Sequence, residues 1–408
     1  MDVNRIRADF PILKREINGH PLIYFDNAAT SQKPVQVISA ISDFYEKHNA
    51  NVGRAVHTLS QEATALQQSA RENIAHLINA QNSAEIVFLR GTTEAINLVA
   101  YSLGLHALTK GDEILISAME HHSNIVPWSI VAQLRGLIVK YVNINSDGSL
   151  DYQDFESKLS SKTRVVSLTH VSNVTGAVND IKKITRTVHD FGALMMVDGA
   201  QSVPHLPVDV KNLDIDFLAF SGHKMLGPTG IGVLYGKASV LERMEPFQGG
   251  GSMISDVSLD AEQQLCNISY NVLPTKFEAG TPDISGSIGL GAAVEYLQHL
   301  GMEQVQNHEK LLAKYAFHKL SEISKVTVYG HNIEAQSSGI IAFNVEGFSS
   351  HDVALLMDSE GIAIRSGFHC AQPLHQMFKL ASSARASFYI YNTFEEIDRF
   401  INTLKQIT

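Results

Sequence analysis

The sequence predicts an α/β fold in two parts: a large, doubly wound domain built on a mostly parallel sheet, and a smaller α+β domain at the C-terminal end. Two observations predict it. Short apolar runs alternate with helical segments up to about residue 245. The alternation then stops at Gly249-Gly250-Gly251-Ser252, a flexible break, and a different order of elements follows.

The candidate strands of the first part are Leu22–Phe25, Ile86–Leu89, Glu113–Ser117, Leu137–Val142, Arg164–Thr169, Leu194–Val197, Phe217–Phe220 and Gly232–Tyr235. They are rich in Val, Ile, Leu and Phe on both faces, as a sheet covered on both sides requires. Glu94–Leu103, Asn124–Leu134 and Asp180–Phe191 read as helices between them. Such crossovers make the strands parallel and place a ligand crevice at their carboxyl ends. Beyond the break, residues 254–276 read as polar and irregular. Helical periodicity returns from about Ser287 to Leu320. Strands near Lys325–Tyr329 and Gly339–Asn344, a helix at His351–Ser359 and a last helix from Thr393 complete the tail.

The chain has 408 residues, with 32 Lys+Arg against 42 Asp+Glu and a formal charge of −10. An acidic balance without a Lys/Arg-rich block argues against nucleic acid as the main partner, while leaving room for a local anion pocket. Two cysteines, Cys266 and Cys370, exclude a disulfide framework and a four-cysteine zinc site. The N-terminus has no apolar signal core, and no apolar run is long enough to span a membrane. These features point to the reducing cytoplasm, with no membrane association.

Phe217-Leu-Ala-Phe-Ser221-Gly222-His223-Lys224 is the most informative stretch. A lysine at the carboxyl end of a buried strand is either a snorkelling surface residue or a desolvated, nucleophilic amine suited to a Schiff base. Leu194-Met-Met-Val-Asp198-Gly199-Ala200-Gln201 places an aspartate at another strand end. Asp198 can serve a metal, a ribose or a pyridinium nitrogen. A metal is disfavoured, since no carboxylate or histidine partner stands nearby in sequence. Schiff-base lysine and strand-end aspartate together suggest pyridoxal phosphate, PLP.

Arg90-Gly91-Thr92-Thr93-Glu94 closes a strand and opens a helix, whose free N–H groups suit a phosphate. A plain Thr cap is the alternative. No nucleotide-type glycine motif is present, which favours a cofactor phosphate. Glu120-His121-His122-Ser123 supplies a strand-end histidine for ring stacking or proton transfer. Thr169-His-Val-Ser-Asn173 is a further strand end. Thr93, His121, Asn173, Asp198 and Lys224 thus converge on one crevice. In Arg365-Ser366-Gly367-Phe368-His369-Cys370-Ala371-Gln372-Pro373, a cysteine beside histidine and arginine in a Gly/Pro-flanked loop reads as a nucleophile, or else as an ordinary free thiol. Cys266 has no such neighbours and reads as structural or incidental.

Together these segments resemble the group II (Suf-type) cysteine desulfurases of the class V aminotransferase family, which are fold-type I PLP-dependent enzymes. The resemblance runs nearly end to end. It is carried by YFDNAAT (24–30), RGTTEAIN (90–97), EHHSNIVPW (120–128), THVSNVTG (169–176), VDGAQ (197–201), SGHKMLGPTGIG (221–232), GGGSMI (249–254), KFEAGTP (276–282) and SGFHCAQP (366–373).

The resemblance implies an N-terminal segment 1–20 packed with the small domain, a large PLP-binding domain 21–285 and a small domain 286–408 carrying the cysteine loop. It implies that Lys224 carries the cofactor, Asp198 pairs with the ring nitrogen, Gln201 bonds the ring hydroxyl and His121 stacks on the ring. Thr92, Thr93, Ser221 and His223 would hold the phosphate, with Thr281 arriving from the other subunit of a homodimer. Asn173, Arg365 and Arg385 would hold the substrate carboxylate. The implied reaction converts L-cysteine to L-alanine and leaves a persulfide on Cys370, destined for an acceptor protein of the SufE, CsdE or SufU kind and for iron–sulfur cluster assembly.

Some positions depart from the family. Phe368 and Lys276 stand where many relatives carry His and Arg, Gly53 stands where many carry His, and the segment 254–276 is a few residues longer. Selenocysteine lyase and cysteine-sulfinate desulfinase are alternatives on the same fold, and a non-catalytic scaffold is a further one.

Overall fold

The computed structural model describes residues 1–53, 55–260, 265–330 and 338–407. Seven strands form the large sheet: β1 (Ile86–Leu89), β2 (Glu113–Ser117), β3 (Ile138–Val142), β4 (Thr163–Thr169), β5 (Leu194–Asp198), β6 (Phe217–Ser221) and β7 (Gly232–Gly236). Their spatial order is β1-β7-β6-β5-β4-β2-β3. Strands β2 to β6 pair in parallel, while β7 runs antiparallel to β1 and β6. The apolar runs split by alternation between two cores. Leu115 and Val166 face one side with Phe220, whereas Ile114, Ile116 and Val165 face the other with Ala219. A strand buried on both faces has no polar position to spare, and its sequence therefore reads as an unbroken apolar run.

Three expectations are corrected. Leu22–Phe25 does not join the large sheet. Its Ile23–Tyr24 core pairs in parallel with Ile362–Ala363, because Phe25 packs edge-on against Phe388 and Phe400 of the small domain's core. The segment 254–276 is not irregular. It contains a hairpin, β8 (Ile254–Asp260) and β9 (Leu265–Tyr270), whose Val257, Leu259 and Ile268 are exposed. A hairpin lying off the core has no buried face to reveal it in sequence. Residues 261–264 of the long segment lie outside the described residues. The third is the helical stretch Ser287–Leu320, which is two helices, Ile284–Leu300 and Met302–Ser321, parted by Gly301 at φ +81°.

Besides short helices such as Tyr152–Lys158, two longer ones, Val35–Asp43 and Thr58–Leu77, are absent from the sequence reading. The second packs closely on Ile284–Leu300: a Cβ at Gly291 would lie 2.7 Å from the Ala70 side chain. The small sheet comprises β10 (Val326–Tyr329), β11 (Ile340–Val345), β12 (Arg365–Gly367) and β13 (Ser383–Ser387), all antiparallel, in the order β10-β11-β13-β12. The N-terminal segment is tied to the last helix by an Arg7–Glu396 ion pair at 2.6 Å and to the turn before that helix by Phe10 packed on Tyr391. Among the described residues no helix is long and apolar enough to cross a membrane.

Candidate active site

The carboxyl ends of β2, β4, β5 and β6 and the edge of the small sheet enclose a cavity of about 230 Å³. Thr92, Thr93, His121, Asn173, Asp198, Gln201, Ser221, His223, Lys224, Arg365, Cys370 and Arg385 all border it, so twelve of the thirteen residues singled out in sequence meet at one place. Thr281 is the exception. It is exposed, accepts a bond from Asn51 Nδ2 at 3.4 Å and does not border its own chain's cavity.

One end of the cavity is built for an anion. The helix Thr92–His106 starts there, with its unpaired N–H groups and positive dipole end. Gly91, at φ +153°, turns the chain into it. The turn presses against β7 so closely that a Cβ on Gly232 would come within 2.4 Å of the Gly91 Cα. Ser221 Oγ accepts from the Thr92 backbone N–H at 2.8 Å and pairs with Thr92 Oγ1 at 2.7 Å, locking β6 to the helix start. Thr93 Oγ1 pairs with Ser123 Oγ at 2.7 Å. Burial pushes the His223 imidazole down to about 4, and its neighbours Lys224 and Lys33 push the same way.

At the centre, burial lowers Lys224 to about 8, while the nearby Asp198 carboxylate acts in the opposite direction. A lysine in this range holds a usable fraction of neutral amine near neutral pH. Asp198 is buried, accepts from the Ala200 N–H at 2.9 Å and is pushed upward by burial. Gln201 gives its amide N–H to Ala28 O at 2.7 Å and keeps a buried, unpartnered Oε1. His121 Nδ1 accepts from the Ser123 N–H at 3.1 Å, which leaves the ring proton on Nε2. Burial first, then Lys224, lowers His121 to about 3, so the ring is neutral.

Beneath His121 lies a group that sequence reasoning missed. Glu120 is fully buried and accepts from Ser117 Oγ at 2.5 Å and Asn124 Nδ2 at 2.7 Å. Asn124 in turn accepts from Ser167 Oγ and Trp128 Nε1. Burial raises Glu120 to about 8. The only sequence signal was its place ahead of the two histidines.

At the other end, Arg385 is 2% exposed, donates to Asn173 O at 2.9 Å and leaves its Nε buried without a partner. A second missed residue, Asp26, accepts from both Arg385 and Arg365. It sits in YFDNAAT, and its position just past a short strand was the available signal.

Cys370 is exposed at the cavity rim. His369 and Cys370 both occupy the left-handed region, at φ +51° and +56°. Two such non-glycine residues in a row are strained and need fixed surroundings. Asn173 Nδ2 supplies one tie, donating to His369 O at 2.7 Å. The Ala371 N–H donates to Phe368 O at 2.8 Å. The His369 ring hydrogen-bonds into the small sheet: Nε2 meets Ser383 O at 3.0 Å and Ser383 Oγ at 3.1 Å. His375 Nε2 meets the same hydroxyl at 3.0 Å, and its Nδ1 donates to Ala371 O at 3.0 Å. These bonds put the His369 proton on Nε2 and leave its buried Nδ1 open. Phe368 stacks edge-on against His375 with ring centroids 5.7 Å apart and is 43% exposed.

These residues fit pyridoxal phosphate. The buried carboxyl of Asp198 calls for a cationic N–H partner, the open Gln201 Oε1 for a hydroxyl, and the helix start for a phosphate.

Comparison with known proteins agrees with this arrangement. The family model Aminotransferase class-V matches residues 23–400. A protein of Halalkalibacterium halodurans named probable cysteine desulfurase is 50% identical over 406 residues, 100% of this chain and 98% of its own. The crystal structure of the cysteine desulfurase CsdA from Escherichia coli is 39% identical, with TM-score 0.91 over 100% of this chain and 98% of that one. The apo cysteine desulfurase of Thermococcus onnurineus NA1 is 40% identical, with TM-score 0.93 over 99% and 97% of the two chains.

Proposed function

The chain belongs to the class V aminotransferase family, and from that premise we propose that it is a PLP-dependent cysteine desulfurase. The observation that carries the proposal is the presence of an exposed cysteine, Cys370, on the rim of the cavity that also holds Lys224 and Asp198. The net reaction moves the sulfur of L-cysteine to the thiol of Cys370. The products are L-alanine and a Cys370 persulfide, with no external oxidant or reductant.

In this reading Lys224 would hold the cofactor aldehyde, Asp198 its ring nitrogen and Gln201 its hydroxyl. Thr92, Thr93, Ser221, His223 and the helix start would hold its phosphate. When bound, PLP supplies an electrophilic carbonyl and an electron sink for bonds broken at the substrate α-carbon. Arg385, Asn173 and Arg365 bind and orient the substrate carboxylate, which points the side chain toward Cys370. Lys224 Nζ takes a proton when its amine is neutral, which its lowered pKa permits near neutral pH. His121 would cover the cofactor ring and, being neutral with its proton on Nε2, is able to give or take a proton there. The Cys370 sulfur receives the transferred atom at an exposed rim where a second protein can reach it.

We extend the reading to a homodimer in which Thr281 completes the partner's phosphate site, since that side chain is exposed and away from its own cavity. Delivery of the persulfide to a SufE-, CsdE- or SufU-like acceptor in the cytoplasm, for iron–sulfur cluster assembly, completes it.

The test is alanine formation from L-cysteine by the PLP-loaded protein, wild type beside Cys370→Ala. The variant is expected to retain the cofactor and to lose at least about a hundredfold in rate, the scale typical of a missing nucleophile. Undiminished multiple turnover by the variant would remove Cys370 from the reaction and favour a selenocysteine or cysteine-sulfinate substrate, whose leaving groups need no thiol acceptor.

A further inference from the structure

The carboxylate-binding end of the cavity carries two guanidinium groups and one carboxylate of the protein's own. Register between β12 and β13 sets Arg365 directly opposite Arg385. Like charges facing each other across a strand pair repel unless an anion joins them. Asp26 is that anion. Its Oδ1 accepts from Arg385 Nη2 at 3.1 Å and from Arg365 Nε at 3.2 Å, and its Oδ2 accepts from Arg365 Nε at 3.1 Å. Both arginines border the cavity, whereas Asp26 stands behind them.

We propose that Asp26 sets the net charge of the substrate pocket and so determines substrate specificity: it favours an amino acid with an uncharged side chain over one of the same skeleton with an anionic side chain. The inference rests on the desulfurase reading. Two guanidinium groups and one carboxylate leave one net positive charge, which a single α-carboxylate neutralises. L-Cysteine carries that one anion, its thiol being mostly protonated near neutral pH. L-Cysteine sulfinate carries a second. Arg365, Arg385 and Cys370 border the same small cavity, so a charge on a side chain that reaches Cys370 lies within the field of the same arginines. With Asp26 ionised, the second anion has no positive charge left to meet it. With a neutral residue there, it does.

The experiment compares wild type and Asp26→Asn holoenzyme. In turnover, the ratio of kcat/KM for L-cysteine sulfinate to that for L-cysteine is expected to rise by about tenfold, the scale of one added complementary charge. In binding, read by titration with the non-reacting pair L-cysteate and L-alanine, the variant is expected to shift toward L-cysteate by a similar factor. A residue that merely braces the two arginines would weaken both members of each pair together, and an unchanged ratio overturns the proposal. Should Asp26→Asn fail to fold, Arg365→Gln removes one positive charge and is expected to move the binding ratio the other way, toward L-alanine; no shift, or the opposite one, overturns it. Wild type that makes alanine from neither substrate would refute the desulfurase reading, while the binding ratios would still decide the role of Asp26.

Discussion

The backbone N–H of His122 donates to the carbonyl oxygen of Cys370 at 2.8 Å. The turn that follows β2 thereby holds the exposed cysteine of the small domain in register with the large sheet. The return tie runs from the Gln372 N–H to His122 Nε2 at 3.3 Å. A left-handed cysteine survives because both its neighbours and its own carbonyl are fixed.

The loop depends on Ser383 as well. Its hydroxyl joins His369 and His375, all three buried. Ser383→Ala strands a buried imidazole nitrogen, at a cost of about 1–3 kcal/mol. Denaturant titration should show that loss, and single-turnover persulfide formation on Cys370 should slow several-fold while PLP affinity stays unchanged. Equal stability and equal rate would show that the loop is held without the hydroxyl.

Lys224 reacts with an aldehyde as the neutral amine. Its ordinary pKa of 10.5 is lowered to about 8, chiefly by burial. The rate at which the apo-protein captures PLP should therefore rise with pH through about 8, not through the usual lysine range. Asp198 raises the Lys224 pKa, so Asp198→Asn should move that inflection to lower pH and also weaken PLP retention. Absorbance of the protein-bound cofactor across a pH series reads both. An inflection near the ordinary lysine value would contradict the lysine's burial.

His170 predicts an acid-labile fold. It is buried behind the site, its Nδ1 has no partner, and burial lowers its pKa from 6.5 to about 4. Between these values the unfolded chain takes up a proton that the native protein refuses. Stability from this residue is thus intact above 6.5 and declines as pH falls toward 4, by an amount on the order of 3 kcal/mol. His170→Gln should flatten the stability curve in that window, whatever it does at neutral pH. Denaturation midpoints measured between pH 7 and pH 4 decide it: parallel curves for the two proteins would be the contrary result.

Glu278, in the KFEAGTP segment, anchors the approach to Thr281. It holds Arg71 at 2.6 Å and 3.0 Å and accepts from the Phe88 N–H at 2.7 Å, with both side chains of the ion pair almost fully buried. Glu278→Ala leaves a buried guanidinium without its counter-charge, which costs about 3–5 kcal/mol. A thermal scan should show a large drop in Tm, and replacing Arg71 together with Glu278 by apolar residues should recover much of it.

Much of the site was legible because strand ends carry it. Asp198 and Lys224 each follow an apolar run, and a sheet buried on both faces delivers whatever follows its strands to one crevice. His121 and Asn173 were found by the same reasoning. Asp26 and Glu120 were passed over for opposite reasons. Asp26 follows the candidate strand Leu22–Phe25, but its meaning lies in two arginines far along the chain. Glu120 stands beside the histidines without a signal of its own, and only the packing of Ser117, Asn124 and Ser167 around it shows a buried carboxyl.

By itself the sequence determined the doubly wound sheet, the break near residue 250 and the convergence of Thr93, His121, Asn173, Asp198 and Lys224 on one cavity. Those follow from local pattern: apolar periodicity fixes which segments are buried strands, and chain direction fixes which end faces the crevice. Tertiary structure alone decided that Leu22–Phe25 serves the small domain, that residues 254–270 include a hairpin, that the His369 ring bonds to Ser383, and that Asp26 spans two arginines. The hairpin has no buried face to mark it, and the others depend on contacts between separate segments, where burial, charge pairing and hydrogen bonding are settled by which surfaces meet.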